Sequence, residues 1–559
     1  MAKYDDGRWV IDRYNQARAL RMPYESEWRR SAAYCLPTQF HLWQTVGSAP
    51  IAPNNPATTV QFAHDSTARK AVPKFTTICH RLATPKSQIW HKAQASNRDL
   101  MKIRAVQLYF GELNRVVWSA RYEAKARFSA AQTLHYASQG VYGTGVKFIS
   151  SRRKTALSPR SGLHYRNVNL RDCYVLLDEE GNVDTVFRDL WLTARQAEQK
   201  FGMERLPQRV KNELAKPNPS ETEKFHFIHA VMPREDYEPG RMDARRFPLA
   251  SVYVGVEEKC LMGEPGGYST WPYIVSRHFP DDVYGVSPAQ FAREAIGSAN
   301  AMKKTLLKQG QKAVDPVLIG FDDGIVNGRV DMRPGAYNPG GVDSQGRKLI
   351  QTLDVGRVDI GAELLQAEQR DIEDAFFVKL FQILVDTPEM TATEVMERVA
   401  EKAALLAPTM EQMQSEDLSP SFEREIDVLD QLGRLPEMPP ELIEAEGEYD
   451  VVWTSPLAKS QRAEEVSGFT RIVEMATAAA QVTQDTRPLR RINFDRAIPE
   501  IADVLSVPPE WLHSDDEVAN QADQDAQAQE IDQMAKAAPA MAGVMKAAGQ
   551  MSQPTKQGK

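Results

Sequence analysis

The 559 residues are 42% hydrophobic and 26% charged, the balance of a folded soluble protein too long for one core. The formal charge of −7 excludes a global basic excess of the kind that marks nucleic-acid binders, so any DNA contact must be local or weak. Cys35, Cys79, Cys173 and Cys260 are scattered without a CxxC pair, which reads as isolated thiols in a reducing compartment, with neither a disulfide framework nor a zinc site. The start, MAKYDDGRW, has no apolar stretch of the signal-peptide kind. No run approaches the roughly 20 apolar residues of a membrane span, so synthesis and folding in a cytoplasm are expected, with no membrane partner.

Residues 10–36 carry Val10, Tyr14, Ala17, Trp28, Ala32 and Cys35 at helical spacing. Pro23 is expected to kink or divide that helix and Pro37 to end it. A Pro-, Asn-, Ala- and Thr-rich loop spans about 44–60, and a helix at 61–83 is expected to be interrupted by Pro73. Residues 101–140 read as helical, with Leu108, Leu113, Val116 and Val117 apolar. The period then changes. Runs at 141–150, 173–190, 224–232 and 251–259 read as strands, and DEEGNV (178–183) as a hairpin turn in which Gly181 and Asn182 can supply positive φ. Residues 193–202 form a short helix capped by Thr193 and closed by Gly202.

Ser287 caps, and Pro288 begins, a helix over 287–312. Residues 313–358 are rich in Gly, Pro and Asp with two or three short strands such as PVLIG (316–320). An amphipathic helix follows at about 360–385, with Leu365, Ile372, Phe376, Leu380 and Ile383 on its buried face. A break at 386–390 leads into a long helical region over 391–433 that Pro408 and Pro420 should bend or break. Residues 434–513 read as helical with proline-rich joints, and 514–559 as a polar tail, partly disordered. The fold class is α+β, predominantly helical, without a fixed-period repeat.

Signs of catalysis are sparse. Gly140-Val-Tyr-Gly143-Thr-Gly145-Val-Lys147 approaches a phosphate-binding loop, but Val146 separates the last Gly from Lys147 and Phe148 replaces the hydroxyl residue. A glycine-rich turn into a strand accounts for it. His226 and His229, at i and i+3 of a strand, point to opposite faces and do not share a metal. Carboxylates cluster at Asp178–Glu180, Asp281–Asp282 and Asp515–Glu517, each explained by a turn or a helix start. No HExxH, GxSxG or deaminase signature occurs. The expectation is a non-enzyme without cofactor or metal.

Five segments in order resemble the head-to-tail connector (portal) family of short-tailed phages. They are Arg21-Met-Pro-Tyr-Glu25 with Trp28 and, after Tyr34, Pro37; the stretch Ala68 to Trp90 with Leu82 and Pro85; and Asp178-Glu-Glu-Gly-Asn182-Val with Arg188 and TARQ. Trp271-Pro-Tyr-Ile leading to Tyr284-Gly285-Val-Ser-Pro288 is the fourth, and Met390-Thr-Ala-Thr-Glu394-Val-Met-Glu397-Arg398 is the most specific. The last 125 residues carry no such motif.

The resemblance implies a portal fold assembled as a ring, usually of twelve subunits, with wing, stem, clip and crown regions. By analogy 1–286 is wing, 287–312 and 359–385 are the two stem helices, and 313–358 is the clip that docks the packaging terminase and later tail proteins. Asp386, Thr387, Pro388, Glu389 and Met390 are the tunnel loop facing double-stranded DNA, 391–433 is the long core helix, and 434–513 is crown-like. Capsid and scaffolding proteins and tail adaptor or tube proteins are the further partners. The place of action is the capsid vertex of the virion, after assembly in the host cytoplasm.

Within the first stem helix Arg293, Lys303, Lys304, Lys308 and Lys312 face one acid, Glu294. They are candidate channel residues, although a solvated face or ion pairing between subunits explains them somewhat more simply. The alternatives are a nucleic-acid enzyme (a nuclease or packaging ATPase), or another virion structural protein such as a scaffold or tail adaptor.

Overall fold

The computed structural model describes residues 3–49, 63–152, 161–320, 330–353, 359–378, 407–445, 448–453 and 456–483, less 45, 98, 281, 332 and the side chains of 359, 360 and 456–467, with a few positions between 487 and 518. Helix and strand are mixed, with helix in excess, as an α+β chain requires.

Helix α1 (Gly7–Cys35) starts where Asp6 accepts a hydrogen bond from the Arg8 amide at 2.9 Å. It runs without a break through Pro23, contrary to the expected division. A proline inside a helix costs about 3 kcal/mol. Val10, Ile11, Tyr14, Ala17, Trp28 and Ala32 are buried on one side of it, and each such burial of a large side chain returns about 1.5–3 kcal/mol. Packing therefore outweighs the proline. Pro37 does end the helix and opens a 3₁₀ segment to Gln44.

Helix α2 (Thr67–Leu82) likewise passes through Pro73, again correcting the expected interruption; Ala68, Ala71, Val72, Phe75 and Cys79 are its buried face. Strand β1 (His91–Ala95) and helix α3 (Arg104–Arg121) come next. The predicted continuous helix over 101–140 is two helices, because Arg127 takes a left-handed φ of 64° before α4 (Phe128–Tyr142). Leu108, predicted apolar and inward, is exposed, while Val106, Tyr109, Phe110, Leu113 and Val117 are buried.

Strands β2 (Thr144–Arg152) and β3 (Gly162–Val168) pair antiparallel. β4 (Cys173–Leu177) and β5 (Val183–Leu192) form the predicted hairpin, in which Gly181 has φ 85° and Asn182 does not share the positive φ. α5 (Ala194–Phe201) carries the predicted Thr193 cap as a reciprocal box with Gln196, and α6 (Gln208–Leu214) follows. β6 (Phe225–Pro233), β7 (Leu249–Gly255), β8 (Cys260–Leu261), β9 (Gly266–Tyr268) and β10 (Tyr273–Arg277) complete two sheets.

The larger sheet has the order β4-β5-β6-β7-β8 with β9 on β7; the smaller is β10-β2-β3. Alternation along the strands sorts their side chains into layers. Ile228, Ala230, Met232, Ala250, Val252 and Val254 of the large sheet pack with Val10, Ile11, Tyr14 and Ala17 of α1. Leu190, Phe225 and Phe227 on its other face pack with Ala194, Ala197 and Val210 of α5 and α6.

The predicted helix at 287–312 is a capped turn, α7 (Pro288–Phe291), a break at Ala292, and α8 (Arg293–Val314). Two short strands, β11 (Leu318–Gly320) and β12 (Ile350–Thr352), pair within 313–358. α9 (Asp359–Ala375) ends short of the predicted residue 385; Phe377 follows with φ 58°. Residues 379–385, with Leu380 and Ile383, lie outside the described residues.

From 407 the chain is helical through Pro408, widens into a π-helical turn at Gln414–Leu418, and continues as α10 (Ser419–Gln431). Pro420 therefore does not break the helix; the wide turn just before it absorbs the missing donor. Short α11 (Pro440–Glu444), strand β13 (Tyr449–Trp453) and α12 (Pro456–Thr483) close the described chain, and β13 interrupts a stretch expected to be helical throughout.

The chain divides into two compact units. The first comprises Met1–Trp90, Val116–Leu435 and Ser455–Gln461; the second comprises His91–Arg115, Pro436–Thr454 and Arg462–Lys559. In the second, β1 pairs antiparallel with β13, His91 opposite Trp453, and Asn114 clamps the Ala93 amide and carbonyl at 2.7 and 3.2 Å. The sheets and the elements discussed below belong to the first.

Candidate functional site

Helices α8 and α9 flank the Gly- and Pro-rich stretch, and α8 carries the candidate basic residues. Leu306 of α8 faces α9, its Cδ2 lying 2.9 Å from where a Gly361 Cβ would sit. Lys304, Lys308 and Lys312 recur every four residues, at about 160°, 200° and 240° round the helix from Leu306. They form an exposed stripe, and among the described residues none has an ion-pairing carboxylate. Lys303 is half-buried on a different side. Arg293 is engaged instead, at 3.2 Å from Glu27 and 2.9 Å from Glu294. Those contacts raise its pKa, the hydrogen bond to Glu27 most of all. The structure thus groups three of the five basic candidates and ties a fourth to α1. Asp386, Thr387, Pro388, Glu389 and Met390, and the signature at 390–398, lie outside the described residues.

The α8–α9 pair is anchored to α2 and the residues just before it: Lys74 pairs with Glu373 at 3.3 Å, and Gln369 donates to Asp65 at 2.7 Å. Phe376 is fully buried, its ring 6.2 Å from that of Phe75. At its other end Ser287 caps α7 and donates from Oγ to the Val141 carbonyl at 2.9 Å. Apolar residues remain exposed along the pair, among them Leu307, Val314, Val317 and Leu364.

Two of the motif segments that carry the resemblance meet in space. Arg21 is buried and donates to the carbonyls of Leu170, Arg171 and Cys173 at 2.8–2.9 Å and to Glu25 at 2.7 Å. Tyr24 and Trp28 stack at 5.9 Å, and Tyr284 meets Trp28 edge-on at 4.9 Å. Gly285 and Gly143 touch back to back: a Cβ on Gly143, whose φ is 78°, would fall 1.9 Å from the Gly285 carbonyl oxygen. Both motifs specify a junction of α1, α4 and the approach to α7. The glycine-rich stretch 140–147 is the same junction, a helix end turning into a strand, as expected.

Lys147 accordingly points into the protein. It sits 2.5 Å from Asp417 and donates to Gln132 at 2.8 Å; all three side chains are buried. Gln132 also donates to Asp417 at 2.7 Å, and His135 lies 3.6 Å from the same carboxylate. Burial opposes the Asp417 charge most strongly, yet Lys147, His135 and these hydrogen bonds overbalance it and lower its pKa. Burial lowers His135 to about 4, so its ring is neutral. The preceding residue, Glu416, receives the Arg277 amide at 2.6 Å and its Nε at 2.9 Å. Two consecutive carboxylates of the π-helical turn thus pin it to β2 and β10. Further on, Glu425 receives Arg121 at 2.5 Å and the Tyr165 hydroxyl at 2.6 Å, while Arg121 lies over the Trp90 ring at 4.2 Å. Sequence reading missed this network because its partners are about 300 residues apart and have no local signal.

The remaining candidates separate as expected. His226 shares a 2.9 Å hydrogen bond with Asp189 on the α1 face of the sheet, while His229 bonds Tyr273 and Ser251 on the other. Asp178 accepts from the Glu180 and Asn182 amides in its turn, and Asp282 accepts from Tyr24. Asp281 and Asp515–Glu517 lie outside the described residues. Among the described residues no three His, Cys, Asp or Glu side chains form a metal-sized group, and no helix is long and apolar enough to cross a membrane. The four cysteines are free thiols, and burial raises those of Cys35 and Cys173 to about 12.

Comparison with known proteins gives a family match over nearly the whole chain: the model described as bacteriophage head to tail connecting protein matches residues 8–512. A probable portal protein of Bordetella phage BPP-1 is 24% identical over 549 residues, 95% of this chain and 94% of the relative. A portal protein of Salmonella phage epsilon15 is 25% identical over 437 residues, 76% of this chain and 75% of the relative.

Proposed function

The chain belongs to the bacteriophage head to tail connecting protein family, and on that premise we infer that it performs the portal function, joining the phage head to its tail. It acts as a closed ring of identical subunits, twelve in number, at one capsid vertex. Double-stranded DNA passes through the centre during packaging and ejection. The terminase motor, and then tail proteins, dock on residues 313–358. Capsid and scaffolding proteins surround the ring during assembly in the host cytoplasm.

The observation that carries this reading is the family match over residues 8–512. The α8–α9 pair supports the ring: Leu307, Val314, Val317 and Leu364 are exposed in the single chain and need a cover. A neighbouring copy supplies it through the two-faced contact that closes by rotation. The stripe Lys304, Lys308, Lys312 supports a weak DNA contact. Three ammonium groups, without an ion pair among the described residues of a chain of charge −7, give local attraction. They stop short of the dense phosphate pairing that would stall movement.

The reading assigns the chain no chemistry. An ATPase built on Gly140–Lys147 would need the Lys147 amine on a phosphate, and that amine is buried against Asp417. Negative-stain microscopy of the purified chain should show rings with a central hole. A monomer or dimer at every salt concentration would overturn the proposal. Shortening 386–390, or replacing Thr387 and Pro388 with glycine, should leave rings intact while impairing packaging or DNA retention; loss of assembly would show that segment to be core.

A further inference from the structure

Phe279 and Phe291 form an aromatic pair on the outside of the molecule, their rings edge-on at 5.6 Å. They are 62% and 58% exposed. Phe279 also holds a left-handed φ of 46°, which a bulky side chain adopts only at a cost. The junction beside it enforces that conformation: the His278 amide donates to the Gly143 carbonyl at 2.7 Å, and the Phe279 carbonyl accepts from the Val286 amide at 3.0 Å. A strained backbone thus holds a large ring out in solvent, where the single chain gives it little burial to offset the strain.

On the other side of α7 a cleft of about 210 Å³ opens between α1 and the start of α8. Arg30 and Tyr34 line it from α1, and Ala289, Arg293, Ile296 and Gly297 line it from α7 and α8. Ala289 and Phe291 are two positions apart, about 200° round a helical turn, so the aromatic knob and the cleft face opposite ways. Gly297 is exposed inside α8, and a Cβ there would meet no atom of the described residues within 4 Å. Glycine weakens a helix interior, and no neighbour among the described residues requires it here; its effect is to leave the cleft open. An apolar cavity of about 150 Å³ takes a benzene ring, so this cleft has room for a phenyl group. Its walls suit one. Arg30 and Arg293 present guanidinium groups, steadied by Glu27 at 3.8 and 3.2 Å, and guanidinium planes stack on aromatic rings.

We propose that the Phe279–Phe291 pair of one copy of this chain inserts into the Gly297 cleft of the next, a contact repeated round the ring and resting on the ring reading above. Knob and cleft are different surfaces of one chain on opposite sides of one helical segment, which is what a heterologous contact requires. Each copy offers one of each, so every knob has a cleft when the ring closes. The contact also gives the strained, exposed Phe279 the burial that the single chain withholds.

The test dilutes the full-length chain through the range where rings dissociate, read by light scattering. Phe291→Ser and Gly297→Leu should each raise the concentration at which half the rings persist by about tenfold or more. Neither should lower the unfolding midpoint of dissociated subunits, because Phe291 is exposed and leucine is the better helix former at an open position. Phe291→Cys and Gly297→Cys together in one chain, oxidised in assembled rings, should give a ladder of covalently linked multimers; either alone should not. If the parent forms no ring, the ring reading and this contact fall together. Rings in the parent with either Phe291→Ser or Gly297→Leu unmoved would overturn this contact alone. Weakened rings without the cysteine ladder would put the knob against another surface, a different protein's included, and overturn it as well.

Discussion

Replacing Lys147 with methionine tests the buried network and the absence of a phosphate-loop lysine together. Methionine keeps the length and most of the volume of the stem, so little packing is lost. What changes is electrostatic: Asp417, fully buried, loses the ammonium at 2.5 Å, and Gln132 loses the donor at 2.8 Å. Removing one partner of a buried pair costs about 3–5 kcal/mol, because the other charge stays behind without compensation. Asp417→Asn alone should cost a similar amount by stranding Lys147. In the double variant no charge remains, and the amide introduced by Asp417→Asn can still bond Gln132. Its stability should therefore return to within about 1 kcal/mol of the parent. Urea midpoints at one fixed chain concentration measure all four proteins, and the cycle isolates the coupling. A Lys147→Met loss under about 1 kcal/mol, or a double variant as damaged as the two singles combined, would refute the reasoning. A nucleotide-hydrolysis signal that disappears with Lys147 while the midpoint holds would refute it more severely.

Three other outcomes follow from the same structure. Phe376→Ala removes a fully buried ring from the α2–α9 contact and should cost about 3–5 kcal/mol, read as a lowered unfolding midpoint; half-buried Phe377 should cost less on the same change. Gly143→Ala, with its Cβ 1.9 Å from the Gly285 oxygen and φ of 78°, should leave no soluble folded chain as judged by size exclusion. Stability should fall as pH drops below about 6.5, because unfolded His135 and His229 take up protons there, while the buried native rings resist protonation, His135 down to about 4. His135 alone accounts for about 3 kcal/mol over that window. The depressed Asp417 adds further loss only below the ordinary carboxylate range. A flat midpoint between about pH 6.5 and about pH 4.5, an interval inside the window that the histidines set, would contradict this.

Local chemistry was readable where it acts over a few residues. The Thr193 and Ser287 caps, the Asp178–Asn182 turn and the alternating strands all stand as the sequence indicated. Prolines misled, because Pro23 and Pro73 were weighed by their local cost while the buried faces of α1 and α2 decide the outcome. Strands β1 and β13 were invisible for a related reason: HKAQA and YDVVW are too short to declare themselves, and they exist by pairing across the chain. The basic stripe on α8 was legible as composition, but only the fold separates Arg293, held by Glu27, from Lys304, Lys308 and Lys312.

The distance along the chain between Arg121 and Glu425, 304 residues, also sets a timetable for biosynthesis. At roughly 5–20 residues per second the ribosome needs about 15–60 s to deliver the carboxylate after the guanidinium. Throughout that interval the floor of the small sheet lacks its closing helix, and Lys147 and Arg121 stay solvated. The nascent chain is thus kept from completing this unit until residue 425 has emerged. Topology alone thus makes the closing of this unit a late, slow and non-local step.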